Sequence, residues 1–174
     1  RSVTLTSASD KKRYDRTPLT NYEVSVSGDG WAEGESATYN FTGTQTAVGS
    51  SYNTFGYTLT NAKSSNYNIT QEYGTLTVTV AQSTISLNEN GGSAGQITSV
   101  TATCDQALPS LTTVGDLPTK PHYVFMGFYD SAEEGEGTKY YNFNGTSAKD
   151  WDKLDLKATL YAHWGKSQQT IVLE

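Results

Sequence analysis

The sequence predicts an all-β to β-rich α+β protein of two small tandem modules, and three observations support this prediction. Threonine, serine, glycine and tyrosine number 26, 18, 16 and 12 among 174 residues, a composition typical of strands joined by turns. Short apolar runs alternate with polar residues at a period of two, which is the period of a strand. The pattern restarts near residue 81, so we expect modules over residues 1–81 and 82–165. Residues 166–174 are expected to be a linker, the start of a next module or an expression tail.

The first module is predicted to contain five or six half-buried strands, arranged as a small sandwich or a compact mixed sheet. Segments rich in Gly, Ser and Asn separate the strands and predict turns. The apolar positions that define the strands are Val3, Leu5, Tyr22, Val24, Val26, Tyr39, Phe41, Phe55, Tyr57, Leu59, Leu76, Val78 and Val80.

The second module is predicted to form around residues 123–129, the longest run of bulky apolar and aromatic side chains in the chain. Both faces of this run are apolar, so we expect a strand covered on both sides: Tyr123, Phe125 and Tyr129 on one face, and Val124, Met126 and Phe128 on the other. Its expected partner, residues 156–164, has five apolar residues on one face: Leu156, Ala158, Leu160, Ala162 and Trp164. Phe125, Leu160 and Trp164 are the predicted centre of the core.

Two other segments of the second module are expected to be irregular or briefly helical. Residues 107–121 hold three of the four prolines, which predicts an irregular crossing segment with at most one short helical turn. Residues 147–154 are predicted to form one helical turn around Trp151, with Ser147 as its cap.

Charge and cysteine content exclude several classes of protein. The net charge is −6 and no basic stripe exists, so nucleic-acid binding is disfavoured. No apolar window is long enough to predict a membrane-spanning helix. The single cysteine, Cys104, excludes an internal disulfide. Because the chain begins at Arg1 rather than Met, we expect a monomeric fragment excised from a longer chain.

Residues 84–165 resemble the Listeria–Bacteroides repeat, also called the internalin B-repeat. The matching residues are Pro118-Thr119-Lys120, the run 123–129, Gly137-Thr138-Lys139-Tyr140 and Leu160-Tyr161-Ala162-His163-Trp164. Phe128 stands where the family usually has Trp, and His122 stands where it usually has Gly. The resemblance implies a small β-grasp-like module of a bacterial surface protein.

Residues 2–80 are similar to the YDG or MBG-like repeats of bacterial surface proteins. The run Lys12-Arg13-Tyr14-Asp15-Arg16-Thr17-Pro18-Leu19 matches their signature, and residues 66–69 and 74–78 fit the same pattern. Arg16 replaces the usual Gly, which is unfavourable by roughly 1 kcal/mol if the turn requires a positive φ. The resemblance implies a small β-sandwich or β-grasp-like sheet in an adhesin-like or wall-attached protein, without implying a ligand.

No constellation of residues predicts catalysis or a cofactor. Neither His122 nor His163 has a sequence context typical of a catalytic base. Cys104 has no neighbouring His or Lys to lower its pKa, so we interpret it as a small apolar filler. The chain is therefore predicted not to be an enzyme.

Two places in the sequence are candidates for binding sites. Trp31 is the single candidate for a sugar-stacking platform, although a core plug is the favoured interpretation. The carboxylates of Asp130, Glu133, Glu134 and Glu136 offer oxygens to Ca²⁺, but their spacing matches no EF-hand, so we interpret the loop as a solvated tip and predict no metal. A Lys–Asn isopeptide crosslink, found in some surface modules, has no sequence signature by which to locate it.

The expected function is therefore that of spacer or stalk repeats in a large extracellular bacterial adhesin-like protein of the cell surface or cell wall. The alternative is a binding module that recognises host glycan, such as mucin, or a host surface protein.

Overall fold

A computed structural model describes residues 1–168, and it divides into two compact units, Arg1–Val80 and the chain from Ala81 onward. Among these residues the only helical segment is one 3-10 turn, Ser64–Asn66. The prediction of an all-β to β-rich fold is therefore confirmed. None of the described helices is long and apolar enough to cross a membrane.

The first unit contains eight strands that belong to three small sheets. They are β1 (Ser2–Ser7), β2 (Asp10–Arg13), β3 (Val24–Gly28), β4 (Ser36–Phe41), β5 (Gly49–Tyr52), β6 (Phe55–Thr60), β7 (Asn68–Glu72) and β8 (Thr75–Thr79). One sheet has the order β3-β1-β7, the second has the order β2-β8-β5, and β4 pairs with β6.

Two long interrupted segments run through both three-stranded sheets of the first unit. The entry segment, residues 2–13, contains β1 and β2, and the exit segment, residues 68–79, contains β7 and β8. The two segments are parallel throughout, since β1 pairs with β7 and β2 pairs with β8 in the same direction. Each segment passes from one sheet to the other at its interruption.

The core of the first unit consists of two separate clusters. The larger one joins the β3-β1-β7 sheet to the β4-β6 pair, as in a small sandwich, and buries Val3, Leu5 and Phe55 among half-buried aromatic residues. The smaller one lies under the second sheet and buries Leu19, Leu76 and Val78. The predicted alternation is confirmed for these buried residues, whereas Tyr22, Val26 and Val80, predicted to face inward, are exposed.

The second unit contains one five-stranded sheet of order β10-β9-β13-β11-β12. Its strands are β9 (Gln82–Asn88), β10 (Ser99–Thr103), β11 (Tyr123–Tyr129), β12 (Lys139–Asn142) and β13 (Lys157–Lys166). The first and last strands, β9 and β13, are parallel neighbours at the centre, and the other pairs are antiparallel. This mixed order agrees with the β-grasp-like prediction, and the predicted pairing of β11 with residues 156–164 is confirmed.

A single large cluster forms the core of the second unit. Its buried members are Ile85, Leu87, Ala102, Leu108, Leu111, Phe128, Tyr140, Tyr141, Trp151, Leu160, Ala162 and Trp164. Leu160 and Trp164 are buried as predicted, whereas Phe125 is half-buried and packs against the cluster from its edge.

The prediction that β11 is covered on both faces is wrong. Val124 and Met126 are 48% and 43% exposed, while Phe128 is buried. A β-bulge between Phe125 and Gly127 adds one residue to the strand, so Phe125 and Phe128 reach the same core. Gly127 has a φ of 132° and lies against the Tyr141 carbonyl, where a Cβ would approach the oxygen to 2.2 Å, so the bulge requires glycine.

The helical turn predicted over residues 147–154 is also wrong, whereas the irregular segment predicted over residues 107–121 is confirmed. Neither residues 107–121 nor residues 147–154 contain a helix. Both segments contain bends, irregular backbone and isolated β-bridges instead. Trp151 is fully buried, and the Ser147 hydroxyl accepts a hydrogen bond from the Leu108 N–H rather than capping a helix. Leu156, predicted to face the core, is 69% exposed because the strand begins one residue later. The expected module start at Thr170–Val172 lies outside the described residues.

Candidate functional site

The signature residues of the first unit form a turn that is held by one ammonium group. Lys12 Nζ lies 2.7 Å from Asp15 Oδ1, 2.6 Å from the Thr17 carbonyl and 2.7 Å from the Thr17 hydroxyl. Asp15 Oδ1 also accepts a hydrogen bond from the Thr17 N–H. Hydrogen bonds from Lys12 and Thr17 lower the pKa of Asp15 to about 2. Tyr14 and Leu19 pack in the smaller core cluster, so the whole signature has a structural use.

Both positions where the repeats that the sequence resembles usually have glycine have a left-handed backbone here. Arg16 has a φ of 67° and His122 has a φ of 65°. A side chain at such a φ is unfavourable by about 1 kcal/mol or more relative to glycine. The turn at Arg16 therefore does have the positive φ at which a side chain is unfavourable, and the backbone at His122 is strained in the same way.

Two of the four carboxylates in the acidic loop of the second unit, those of Asp130 and Glu134, form hydrogen bonds within the protein. Asp130 accepts hydrogen bonds from the Thr138 N–H and from Lys153. Burial by itself raises the pKa of Asp130, but these two hydrogen bonds lower it below its usual value. Both oxygens of Glu134 lie within hydrogen-bond reach of the Trp164 N–H, at 3.0 and 3.1 Å. Among the described residues no group of three or more His, Cys, Asp or Glu side chains is placed to hold a metal ion.

The two histidines and the cysteine do not form a catalytic arrangement. His163 is buried, stacks on Tyr129 at a ring distance of 4.0 Å and places Nε2 2.7 Å from the Ser131 carbonyl. That nitrogen is therefore a donor to the backbone and holds the loop. His122 is exposed at the entrance of β11, and Cys104 is buried in the second unit.

Lysine side chains in both units pair with aspartates. Lys12, Lys149 and Lys153 lie 2.7, 2.6 and 2.8 Å from Asp15, Asp152 and Asp130. Each pair is partly exposed, which is the setting of an ordinary hydrogen-bonded surface ion pair.

Trp31 is held inside the first unit. Its ring is half-buried in the larger cluster and meets the Tyr67 ring edge-on at 5.1 Å. The Tyr67 hydroxyl donates to Glu35 and accepts from the Ala32 N–H, so the loop around Trp31 is tied to β7. The hydrogen bond to Glu35 raises the pKa of Tyr67. This geometry favours the core-plug interpretation over a sugar platform.

A different aromatic residue of the first unit is exposed beside a cleft. Tyr22 is 69% exposed, and its ring meets Phe41 edge-on at 5.5 Å. The cleft beside it carries hydroxyl, carboxylate and apolar groups, and its lining residues are Thr6, Ser7, Ala8, Tyr22, Glu23, Val24, Ser25 and Tyr39. Sequence reasoning assigned Tyr22 to a strand interior, whereas β3 begins two residues later.

The geometry shared by the two units is parallel pairing between the segment that enters the unit and the segment that leaves it. In the first unit Ser2 is level with Asn68, and Arg13 is level with Thr79. In the second unit Thr84 is level with Lys157, and β13 continues nine residues further to Lys166. Because the strands are parallel, the chain enters each unit at one end and leaves it at the opposite end.

The interruption of the parallel pair in the first unit is bridged by a buried asparagine. Asn53 is fully buried and donates its side-chain N–H groups to the carbonyls of Ala8 and Asn21, at 3.0 and 2.9 Å. Its own backbone accepts from the Ser7 hydroxyl and donates to the Gly74 carbonyl. Gly74 lies so close to Ala8 that a Cβ would meet the Ala8 carbonyl at 2.4 Å. Sequence reasoning missed Asn53, since a lone Asn near a turn has no distinguishing pattern.

Comparison with protein-family models found no match, and neither did comparison with curated proteins or with solved structures. The resemblances to the two surface repeats stay predictions from the sequence.

Proposed function

We propose that both units are structural spacer repeats of a large bacterial cell-surface protein of the adhesin type, and that they hold a distal domain away from the cell surface or cell wall. The observation that carries this proposal is the parallel pairing, in each unit, of the strands by which the chain enters with the strands by which it leaves: β1 with β7 and β2 with β8 in the first unit, and β9 with β13 in the second. The resemblance of each unit to bacterial surface repeats supports the proposed location.

The reason is geometric. A spacer gains length only if the chain leaves a module far from where it entered. Strands rise about 3.3 Å per residue, so the exit segment spans up to about 35 Å and β13 spans about 30 Å. In each unit of some 80 residues, the point where the chain enters and the point where it leaves are therefore separated along the strand direction. The polar faces of the strands lie in solvent.

A reach assay tests this proposal. The chain is displayed between a surface anchor and a reporter binding domain that must contact a ligand beyond a polymer layer of set thickness. Replacement by an unrelated module with termini at opposite ends should keep the reporter in reach. Replacement by a module of similar length with both termini at one end should lose it. Equal reach for both replacements contradicts the spacer proposal.

The second candidate function is a glycan-binding module, and the exposed Tyr22 beside a polar cleft is the observation that favours it. An aromatic face that stacks on a sugar, with hydroxyl and carboxylate groups beside it, is the usual chemistry of carbohydrate recognition. A glycan array with the whole chain, compared with Tyr22→Ala, tests this function. Tyr52→Ala is the matched control, because Tyr52 is 68% exposed and does not line that cleft. Specific binding that Tyr22→Ala abolishes and Tyr52→Ala retains would establish the binding function.

A further inference from the structure

We infer that the parallel terminal strands of each unit form a mechanical clamp that is loaded in shear when the chain is pulled from its ends. This inference concerns the response of each unit to tension, and it rests on the proposed spacer function only for its biological use. It follows from strand direction, register and the hydrogen bonds between the two terminal strands.

The direction of the load is set by the topology. Pulling the N-terminal side of the first unit draws the entry segment towards one end, and pulling its C-terminal side draws the exit segment towards the other. The two segments are hydrogen-bonded neighbours over five register pairs between β1 and β7 and four between β2 and β8. The hydrogen bonds of a parallel ladder are evenly spaced along the strands, so sliding loads all of them together.

The interruption in the first unit does not divide this clamp into two weaker ones. Between the two ladders, the Gly74 N–H donates to the Ser7 carbonyl and lies 3.0 Å from the Ser7 hydroxyl. The Thr75 N–H donates to the Ser9 hydroxyl at 2.9 Å. Asn53 then connects Ala8 of the entry segment with Gly74 of the exit segment. The hydrogen-bonded contact therefore continues from Ser2 to Arg13.

The second unit has the same clamp with a different support. Five register pairs join β9 to β13, and the Thr84 N–H donates to the Leu156 carbonyl just before the ladder. One residue earlier, the buried Ser83 hydroxyl donates to the Asp155 carbonyl and accepts from the Trp151 indole. These contacts join the first residues of β9 to the segment that directly precedes β13.

The inference predicts that unfolding force depends on where the chain is held. Forced unfolding is governed by the unfolding rate, which falls when many contacts must break in one step. Handles at the two chain ends load both clamps in shear. Handles at residue 88, where β9 ends, and at the C-terminus pull both strands of the second clamp from the same end, so the ladder opens one bond at a time.

Single-molecule force spectroscopy on the full chain tests this difference. The variant Asn88→Cys with Cys104→Ala provides the internal handle, because Asn88 is exposed and Cys104 is buried. We expect the second unit to unfold at a several-fold lower force when it is held at residue 88 than when it is held at the chain ends. The same variant pulled from its ends is the control and should keep the high force. Equal forces in the two geometries would overturn the inference.

A second measurement addresses the interruption in the first unit. With end handles, Asn53→Ala should lower the force of one unfolding event and leave the other event unchanged, since the second unit serves as an internal reference. Ser9→Ala, which removes only the acceptor of the Thr75 N–H, covers the case in which Asn53→Ala unfolds the first unit before it is pulled. Unchanged force in both variants would show that the interruption carries no load. Failure of the clamp with success of the reach assay would refute the clamp alone, and the opposite pair of results would refute the spacer alone.

Discussion

The two units place their terminal strands in the same way but stabilise that arrangement by different means. The second unit buries twelve residues in one cluster, including two tryptophans. The first unit buries three residues in each of two clusters and bridges the gap between its ladders with the buried polar side chain of Asn53. A long parallel pair can therefore be held either by one apolar core or by two modest cores joined by hydrogen bonds from a buried side-chain amide, although the Asn53 Oδ1 is buried without a hydrogen-bond partner among the described residues.

The largest expected effect is the loss of the apolar core in the second unit. Trp151→Ala should destabilise this unit by about 3–5 kcal/mol, because a large buried ring is replaced by a cavity. A decrease of this size in the free energy of unfolding is close to the whole stability of a small domain. Calorimetry should show that the transition of the second unit disappears and that of the first unit remains.

The control for this prediction is Leu156→Ala, which removes an exposed side chain from the same unit and should leave both transitions in place. Loss of both transitions in Trp151→Ala would mean that the two units do not fold independently.

The next effect is the loss of the polar bridge in the first unit. Asn53→Ala leaves the carbonyls of Ala8 and Asn21, two half-buried residues, without their donor, at about 1–3 kcal/mol for each unpaired group. Removal of the buried Asn53 Oδ1, which has no hydrogen-bond partner among the described residues, offsets part of this cost. We expect urea denaturation to show a loss of about 1–3 kcal/mol in the first unit alone.

Asn40→Ala is the matched control, because Asn40 is exposed on β4 of the same unit. A loss below about 0.5 kcal/mol in Asn53→Ala would show that the bridge contributes no more than an ordinary surface residue.

A smaller effect, of opposite sign, is expected at the two strained turns. Arg16→Gly in the first unit and His122→Gly in the second should each stabilise their unit by up to about 1 kcal/mol, since glycine adopts a positive φ without strain. Melting temperatures of the two transitions measure each gain separately.

Glycine at ordinary loop positions, as in Thr46→Gly or Thr112→Gly, should instead leave its unit unchanged or less stable, because added chain entropy favours the unfolded state. A loss of stability in both Arg16→Gly and His122→Gly would show that contacts of those side chains outweigh the backbone strain.

The smallest effect concerns acid. The folded-state pKa of Asp15 is about 2, below its ordinary value of 3.8, so the ionised carboxylate stabilises the first unit above about pH 4. This contribution is lost as the pH falls from about 4 to 2. The difference in melting temperature between the natural chain and Asp15→Asn should therefore shrink over that interval. A constant difference from pH 5 to 2 would contradict the assigned shift.

Much of the fold was predictable because its signal is local. Val3, Leu5, Leu76 and Val78 alternate with threonines, and each lies buried on a strand as that alternation predicts. The candidate site was less predictable. Trp31 was the predicted aromatic candidate, but it is half-buried, whereas Tyr22 is exposed beside a cleft because β3 begins only at Val24.

The sequence by itself determined that this chain forms short strands, that hydroxyl residues face solvent and that a break falls near residue 81, since these features depend on neighbouring residues. Tertiary structure alone decided which strands pair. In each unit the entering strand pairs with a leaving strand roughly 70 residues away, β1 with β7 and β9 with β13, and no local pattern contains that choice. Tertiary packing also decided the bulge before Gly127 and the burial of Asn53, because each depends on contacts with a segment that is distant in sequence. The period of two determines which face of the strand a side chain lies on, and only the assembled sheet determines which residues that side chain contacts.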